Sequence, residues 1–378
     1  MKRPNAGDLL TESQAMALAI GEAHRGRGYV APNPPVGCVI VDSKGRFLSS
    51  GYHKKCGGPH AEIEALNQIS DKEKLKAAKV FVTLEPCSHH GRTPPCADTL
   101  ARLPLSKVIY GHQDPNPQVS GQGVHVIKKA GIQVELWQRD LEHELAELIE
   151  VFTCNMTKKR AFVALKAAIT LDGQLAEKSG KSQWITGKES RTEVHRLRGQ
   201  FDGILVGRGT VETDNPLLNV RSPDYSGKTN KVVLLDPNNL LEERLPRLQI
   251  WNCHDPKDIF QFIGAENKNS KCPPWNQIAL PLDGRGGGFD LSQISTQLYN
   301  LGVYSVLVEG GADTYGRYLT RRAADRIYLF IAPKVLGQSC GINWAGNFSG
   351  ASLGECPRVL SCRVKVLGED VLITGRLK

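Results

Sequence analysis

Apolar positions along this chain switch repeatedly between helical and strand spacing. From Thr11 to Arg25, alanines and aliphatics recur at helical intervals behind a Thr-Glu-Ser start, which predicts a helix with a capped N-terminus. Val36 to Asp42 is a short apolar run closed by Ser43-Lys44-Gly45, a strand followed by a turn. Pro59-His60-Ala61-Glu62 opens a helix that continues to about Ile69, so His60 and Glu62 fall in its first turn. Lys79 to Leu84 is a buried strand ended by Glu85-Pro86-Cys87. Cys96 to Ala101 begins another helix, and Ser106 to Tyr110 is a further strand. Strands alternating with helices predict an α/β layered fold.

Leu141 to Phe152 interleaves Glu with Leu and Ile, an amphipathic helix, and Thr157-Lys158-Lys159-Arg160 follows as a polar joint. A domain boundary is therefore expected near residue 150, dividing the chain into 1–150 and 151–378. The alternation then resumes. Strands are expected at Phe162–Ala168, Gly203–Val206, Lys231–Leu235, Ser305–Glu309 and Arg326–Ala332, and helices at Lys188–Gly199, Leu291–Leu301 and Asp313–Thr320. Residues 263–290, with Asn-Lys-Asn-Ser-Lys and Gly286-Gly287-Gly288, read as surface loops around a short strand, Gln277–Pro281. The two halves share no internal repeat.

Composition narrows the class. With 378 residues, 40% hydrophobic and 23% charged, the chain is a globular protein of two or three domains. The start, Met1-Lys2-Arg3-Pro4-Asn5-Ala6, lacks an apolar stretch, so no secretory signal is expected, and no apolar run reaches the ~18 residues of a membrane helix. The ten cysteines are scattered, and Cys38, Cys253 and Cys272 stand in unrelated contexts, which suits reduced cytoplasmic thiols and metal ligands better than a disulfide framework. The net charge of +9 is uneven: residues 1–150 hold 18 basic against 17 acidic side chains, and the remainder holds 30 against 22. A basic second half suits nucleic acid, phosphorylated small molecules or simply a solvated surface.

The richest chemistry lies in the first half. His60-Ala61-Glu62, then Pro86-Cys87, then Cys96, supplies one imidazole, two thiolates and a carboxylate not needed as a ligand. A catalytic zinc takes three protein ligands and leaves a fourth position to water, whose pKa it lowers toward neutrality. His-x-Glu followed by Pro-Cys-x-x-Cys marks zinc nucleobase deaminases, with the Glu as general acid/base. Here eight residues, Ser88 to Pro95, separate the cysteines instead of two. Zinc needs thiolates close in space, so a polar, proline-stiffened loop between them is compatible with ligation. The blander alternatives are a structural zinc or cysteines packed in a core.

Taken together, the two halves resemble the bifunctional deaminase–reductase family of riboflavin biosynthesis. The resemblance rests on Pro32-Asn33-Pro34-Pro35-Val36-Gly37, Gly51-Tyr52-His53, His60-Ala61-Glu62, the run from Thr83 to Cys96, and Gln113-Asp114-Pro115-Asn116-Pro117. In the second half it rests on Leu171-Asp172-Gly173, Ser182-Gln183-Trp184-Ile185-Thr186, Leu205-Val206-Gly207, Asp214-Asn215-Pro216, Val308-Glu309-Gly310-Gly311-Ala312 and Ala332 to Gly337. The eight-residue spacing between Cys87 and Cys96 belongs to this family's pattern. The resemblance implies a cytidine-deaminase-like α/β/α zinc domain followed by a dihydrofolate-reductase-like α/β domain. It also implies two reactions: zinc-dependent removal of the 2-amino group of a diaminohydroxyphosphoribosylaminopyrimidine, then NADPH-dependent reduction of the ribosyl of the resulting aminouracil to ribityl.

Site residues follow from the same resemblance. His60, Cys87 and Cys96 would hold Zn2+, with Glu62 as general acid/base, and Asn33, His53, Arg92, Asp114 and Asn116 match deaminase substrate positions. Ala168, Trp184, Thr210, Asp214 and the stretch Gly311, Ala312, Asp313, Thr314, Tyr315, Gly316 and Arg317 match NADP contacts. Ser182, Arg198, Leu218, Arg221 and Glu309 match reductase substrate positions, and no residue is an obvious acid for the hydride step, for which Lys166 and Glu309 are candidates. Glycines between strand and helix suit a phosphate on a helix N-terminus, and a guanidinium reads a phosphate at two points. Turn chemistry for Asn33 and Asp114, and a core role for Trp184, are the ordinary alternatives. Two departures stand out: Ile169-Thr170 where the family often has Ser, and Arg208 in a loop that is usually small. The expected partners are small phosphorylated pyrimidines and further copies of the chain, without nucleic acid or membrane. A nucleic-acid deaminase would want a basic, aromatic groove near the zinc, and the zinc half is close to neutral. A non-catalytic zinc protein would lack Glu62.

Overall fold

A computed structural model describes residues 3–88, 94–117, 119–269, 272–284, 288–346, 348, 350 and 352–378. The chain forms two compact units, Met1–Lys159 and Arg160–Lys378.

The first unit runs α1 (Glu12–Gly26), β1 (Gly37–Val41), β2 (Phe47–Tyr52), α2 (Ala61–Leu66), β3 (Lys79–Val82), α3 (Cys96–Ala101), β4 (Lys107–Tyr110), α4 (Gln122–Lys129), β5 (Gln133–Leu136), α5 (Glu142–Leu148) and α6 (Glu150–Lys158). Thr11 caps α1 with a reciprocal capping box to Gln14. One five-stranded sheet, β2-β1-β3-β4-β5, is the middle layer. β1 is antiparallel to β2 and β3, and β3, β4 and β5 are parallel. Successive strand residues point to opposite faces, so both faces of β1 are apolar. Cys38 and Ile40 join Ala61, Ala65, Ala97, Leu100 and Ile127 in one core, whereas Val39 and Val41 join Met16, Ala19, Leu145 and Leu148 in the other. The layers are α/β/α.

The second unit continues with β6 (Phe162–Thr170), β7 (Gln174–Glu177), α7 (Lys188–Gln200), β8 (Gly203–Gly207), α8 (Arg208–Asp214), β9 (Lys231–Leu235), α9 (Gln249–Cys253), β10 (Ile259–Gly264), β11 (Asn276–Leu280), β12 (Leu282–Asp283) and β13 (Gly288–Phe289). It ends with α10 (Leu291–Asn300), β14 (Ser305–Val308), α11 (Ala312–Thr320), β15 (Arg326–Ala332), β16 (Gly341–Asn343), β17 (Val359–Leu367) and β18 (Asp370–Leu377). Nine strands form one sheet in the order β11-β10-β9-β8-β14-β6-β15-β18-β17. The first seven in that order are parallel, and β18 and β17 close the edge antiparallel. Val163, Leu165 and Val306 build one core, and Ile204, Val206, Val232 and Leu234 the other. The unit opens on a clasp: Arg160 donates to both oxygens of Asp325, at 2.6 and 2.8 Å, while Asp325 also accepts from the Val163 amide.

The differences from the sequence expectation have physical reasons. The amphipathic run 141–152 is two helices, because Ile149 leaves helical geometry between α5 and α6. The helix opened by His60 ends at Leu66, with His60 itself at the N-cap. The division of the chain falls at Lys159, whose left-handed backbone (φ 51°) ends α6. The short strand expected at Gln277–Pro281 is β11, while β12 and β13 lie in segments expected as loops, and Ser270, Lys271, Gly286 and Gly287 lie outside the described residues.

Candidate active sites

In the first unit, α2, the end of β3 and the start of α3 converge, bringing His60, Cys87 and Cys96 together. Their ligating atoms all lie within 4.8 Å of one another. Each sulfur is close to Nδ1 of His60, Cys87 at 3.4 Å and Cys96 at 3.3 Å. A tetrahedral zinc would separate a histidine nitrogen from a thiolate by about 3.5 Å, so this donor set fits that ion. The amide of Cys96 donates to Sγ of Cys87 at 3.3 Å. The hydrogen bond from Cys96, helped by His60, lowers the Cys87 thiol, while the same bond and burial raise that of Cys96. Two residues beyond His60, Glu62 is buried. Burial, then the Cys87 charge, push its carboxyl up to about 7.

Around this centre, Nδ2 of Asn33 lies 3.2 Å from Nε2 of His53. His53 is buried, with Nδ1 at 3.0 Å from the Pro59 carbonyl and its ring edge-on to His60 at 5.3 Å. Asp114 accepts from the Asn116 amide at 2.8 Å, and burial raises its carboxyl. Arg92 lies outside the described residues. Sequence reasoning passed over Glu85, three residues beyond β3. Its buried carboxylate accepts from the Asp114 amide at 3.3 Å and the Gly121 amide at 2.8 Å, tying down the segment that carries Asp114 and Asn116. An acidic residue directly before Pro-Cys was its only signal.

In the second unit, Glu309 at the end of β14 is the hub. Arg198, from the last turn of α7, donates Nε to one of its oxygens at 2.6 Å and Nη2 to the other at 3.1 Å. Nζ of Lys166, on β6, lies at 3.5 Å. Burial would raise Glu309, but the charges and hydrogen bonds of Arg198 and Lys166 prevail and hold it down to about 2. Arg198 also donates to the carbonyl of Asn219, next to buried Leu218. Arg221 directs Nη2 at Nε2 of His195, 3.0 Å away, one turn before Arg198 on α7. His195 is therefore a neighbour that sequence reasoning missed. Burial, then the charges of Arg198 and Arg221, lower it to about 4.

The NADP-type positions divide among three places. Gly311 is the N-cap of α11, whose first turn holds Ala312, Asp313 and Thr314. A Cβ on Gly310 would meet Cβ of Thr314 at 2.6 Å, and one on Gly207 would meet Thr314 Oγ1 at 2.8 Å. Only glycines let the β8–α8 turn and the first turn of α11 approach this closely. The first amides of an α-helix have no partner within the helix; Thr210 lies beside Gly311, and Asp214 closes α8. Ala168 lies on β6. Trp184 is exposed, with the Arg191 guanidinium 4.6 Å over its ring, and Ser182 is half-buried in the same segment before α7. Tyr315 and Gly316 face the core, where the Tyr315 hydroxyl donates to the Lys166 carbonyl, and Arg317 pairs with Asp313 at 2.9 Å.

Residues 10–112 match the cytidine and deoxycytidylate deaminase zinc-binding region, and residues 161–372 match the RibD C-terminal domain. The chain is 39% identical to riboflavin biosynthesis protein RibD of Aquifex aeolicus, over 95% of this chain and 96% of that protein. It is 36% identical to the Escherichia coli protein of the same name, over 95% and 97%. Among solved structures, a diaminohydroxyphosphoribosylaminopyrimidine deaminase/5-amino-6-(5-phosphoribosylamino)uracil reductase from Thermotoga maritima is 35% identical. It superposes with a TM-score of 0.82, covering 96% of this chain and 98% of that one.

Proposed function

This chain belongs to the RibD family of bifunctional riboflavin-biosynthesis enzymes, a zinc-binding deaminase joined to an NADPH-dependent reductase, and from that premise we propose its substrates and the residues that act on them. The first unit hydrolyses the 2-amino group of 2,5-diamino-6-(5-phosphoribosylamino)pyrimidin-4(3H)-one. The second reduces the ribosyl of the resulting aminouracil to ribityl. The observation that carries the reading is the convergence of His60, Cys87 and Cys96 beside buried Glu62.

Bound zinc supplies a Lewis acid that makes a water nucleophilic near neutral pH. Glu62 would move both protons of the attacking water, one to the ring nitrogen beside the carbon attacked and one to the nitrogen that leaves as ammonia. Asn33, His53, Arg92, Asp114 and Asn116 hold the pyrimidine and its phosphate. The linked side chains of Asn33 and His53, and the Glu85 anchor beneath Asp114 and Asn116, support this placement.

Bound NADPH supplies the hydride. In the reductase, hydride delivered to C1′ of the sugar would release its ring oxygen, which would need a proton to become a hydroxyl. Lys166, held by Glu309, is the proposed source. Ser182, Arg198, Leu218, Arg221 and Glu309 form the substrate side. Ala168, Trp184, Thr210, Asp214 and Gly311 to Arg317 form the cofactor side.

Ten cysteines without a disulfide among the described residues favour a reducing compartment, the cytoplasm, and no described helix is long and apolar enough to cross a membrane. Assembly with further copies of the chain is the remaining part of the proposal. Val364 and Val366, 64% and 70% exposed on the edge strand β17, favour it, and sedimentation showing only monomer would reject it. For the chemistry, purified protein is given the diaminopyrimidine phosphate with NADPH present or withheld, and products are read by mass. A product lacking the amine without NADPH, and one two hydrogens heavier with it, are expected. Reduction of the sugar before loss of the amine would overturn the order.

A further inference from the structure

At the carboxyl ends of β8 and β9, two charged residues leave the sheet side by side. Gly207 and Leu235 are partners in the parallel register, so the next residues, Arg208 and Asp236, are neighbours. Asp236 is completely buried. One of its oxygens accepts from the Leu241 amide at 2.7 Å and from Nε2 of Gln261 at 2.9 Å. The other has no hydrogen-bond partner and faces Nε of Arg208 at 3.8 Å. Arg208, one third exposed, directs Nη1 to Glu212 at 2.7 Å, and the second oxygen of Glu212 takes Arg244 at 3.0 Å. Two guanidinium groups thus share one surface carboxylate, over a buried carboxylate that fixes the inner one.

The sheet order says what this group faces. Ligands of open parallel sheets lie along the carboxyl ends of the strands. In the order β9-β8-β14-β6, the glycine turn for the pyrophosphate follows β14, and Lys166 and Ala168 stand on β6. A dinucleotide that brings its nicotinamide to β6 extends its adenosine half across β8 toward β9. NADPH differs from NADH only by a phosphate on the adenosine ribose. We propose that Arg208, assisted by Arg244, reads that 2′-phosphate, that Asp236 is the positioning residue beneath it, and that the phosphate displaces Glu212. The proposal rests on the NADPH assignment and adds the residues that select NADPH over NADH.

The test is equilibrium binding to the zinc-loaded full chain, by calorimetry, of NADPH, NADH, 2′,5′-ADP and 5′-AMP. Wild-type protein should prefer NADPH, and 2′,5′-ADP over 5′-AMP. Arg208→Ala should weaken NADPH and 2′,5′-ADP by about 10–100-fold, the range for a lost charge-assisted bond, and leave NADH and 5′-AMP within about twofold. Arg208→Lys should recover part of the loss, since it keeps the charge without the fork. Asp236→Asn should fall between wild type and Arg208→Ala for NADPH only. The NADPH preference should shrink with added salt in wild type and not in Arg208→Ala. An Arg208→Ala protein with wild-type preference, or one that loses both dinucleotides equally, overturns the subsite while leaving the NADPH assignment intact. Wild-type protein that binds neither dinucleotide overturns both.

Discussion

Gly123 on α4 approaches the carbonyl of Pro86 so closely that a Cβ there would lie 1.9 Å from the oxygen. The contact matters because Pro86 directly precedes Cys87, the proposed ligand, so α4 presses on the segment after β3 that sets one corner of the proposed metal site. Gly123→Ala must move that corner. Zinc affinity should fall about 10–100-fold, as when the support of a metal ligand is lost. Competition with a chromophoric chelator measures it, and wild-type affinity would free Gly123 of this role.

Cys96→Ser and Glu62→Gln should separate holding the metal from using it. The serine variant loses zinc and deamination together, because a thiolate is replaced by a poor ligand. Glu62→Gln keeps about one zinc per chain yet loses at least ~100-fold in deamination, as expected when a general acid/base is removed. Both variants should reduce supplied aminouracil phosphate at the wild-type rate. Metal analysis and the two half-assays are the measurements, and a parallel fall in both activities contradicts separate sites.

Arg198→Ala should raise the Michaelis constant for the aminouracil phosphate about tenfold or more, the scale of a lost hydrogen bond to a charged group, with NADPH affinity nearly unchanged. Arg198→Lys should not restore it, because one ammonium cannot reproduce the bonds to both oxygens of Glu309. Kinetics with each substrate varied in turn decides; a loss confined to NADPH would count against the assignment.

Glu309 makes stability depend on acid. Its folded pKa, about 2, lies below the ordinary glutamate value, so the unfolded chain binds its proton first. The stabilisation is fully present above about pH 4.5 and is lost as pH falls from there toward 2; it is on the order of 3 kcal/mol. Glu309→Gln should therefore be much less stable than wild type at pH 7, with the gap closing below pH 4. Urea titrations across that range test this, and a gap independent of pH would show that Glu309 is not held as a carboxylate.

Buried parallel strands were legible because both faces are apolar: Val80-Phe81-Val82 and Val306-Leu307-Val308 read as strands from composition alone. β2 was not, since Ser49 and Ser50 are buried polar residues and Ser50 is satisfied by Glu22 across 28 residues of sequence. β17 was obscured because its middle residues are exposed and its pairing shifts near Ser361. The cluster of His60, Cys87 and Cys96, which could hold a metal ion, was legible from residue type and order. Glu85, His195 and Asp236 were not, because each acts through partners that only the fold brings near: the Asp114 amide, Arg221 and Arg208.

The clasp between Arg160 and Asp325 sets where this protein can be divided. Lys159 ends the last helix of the first unit, and the very next residue is already fastened into the second. A reductase half begun at Ala161 would leave Asp325 facing the Val163 amide without its guanidinium, at the edge of β15. One begun a residue earlier would keep it. For anyone dissecting the enzyme, a single position at the junction decides whether Asp325 keeps its guanidinium partner.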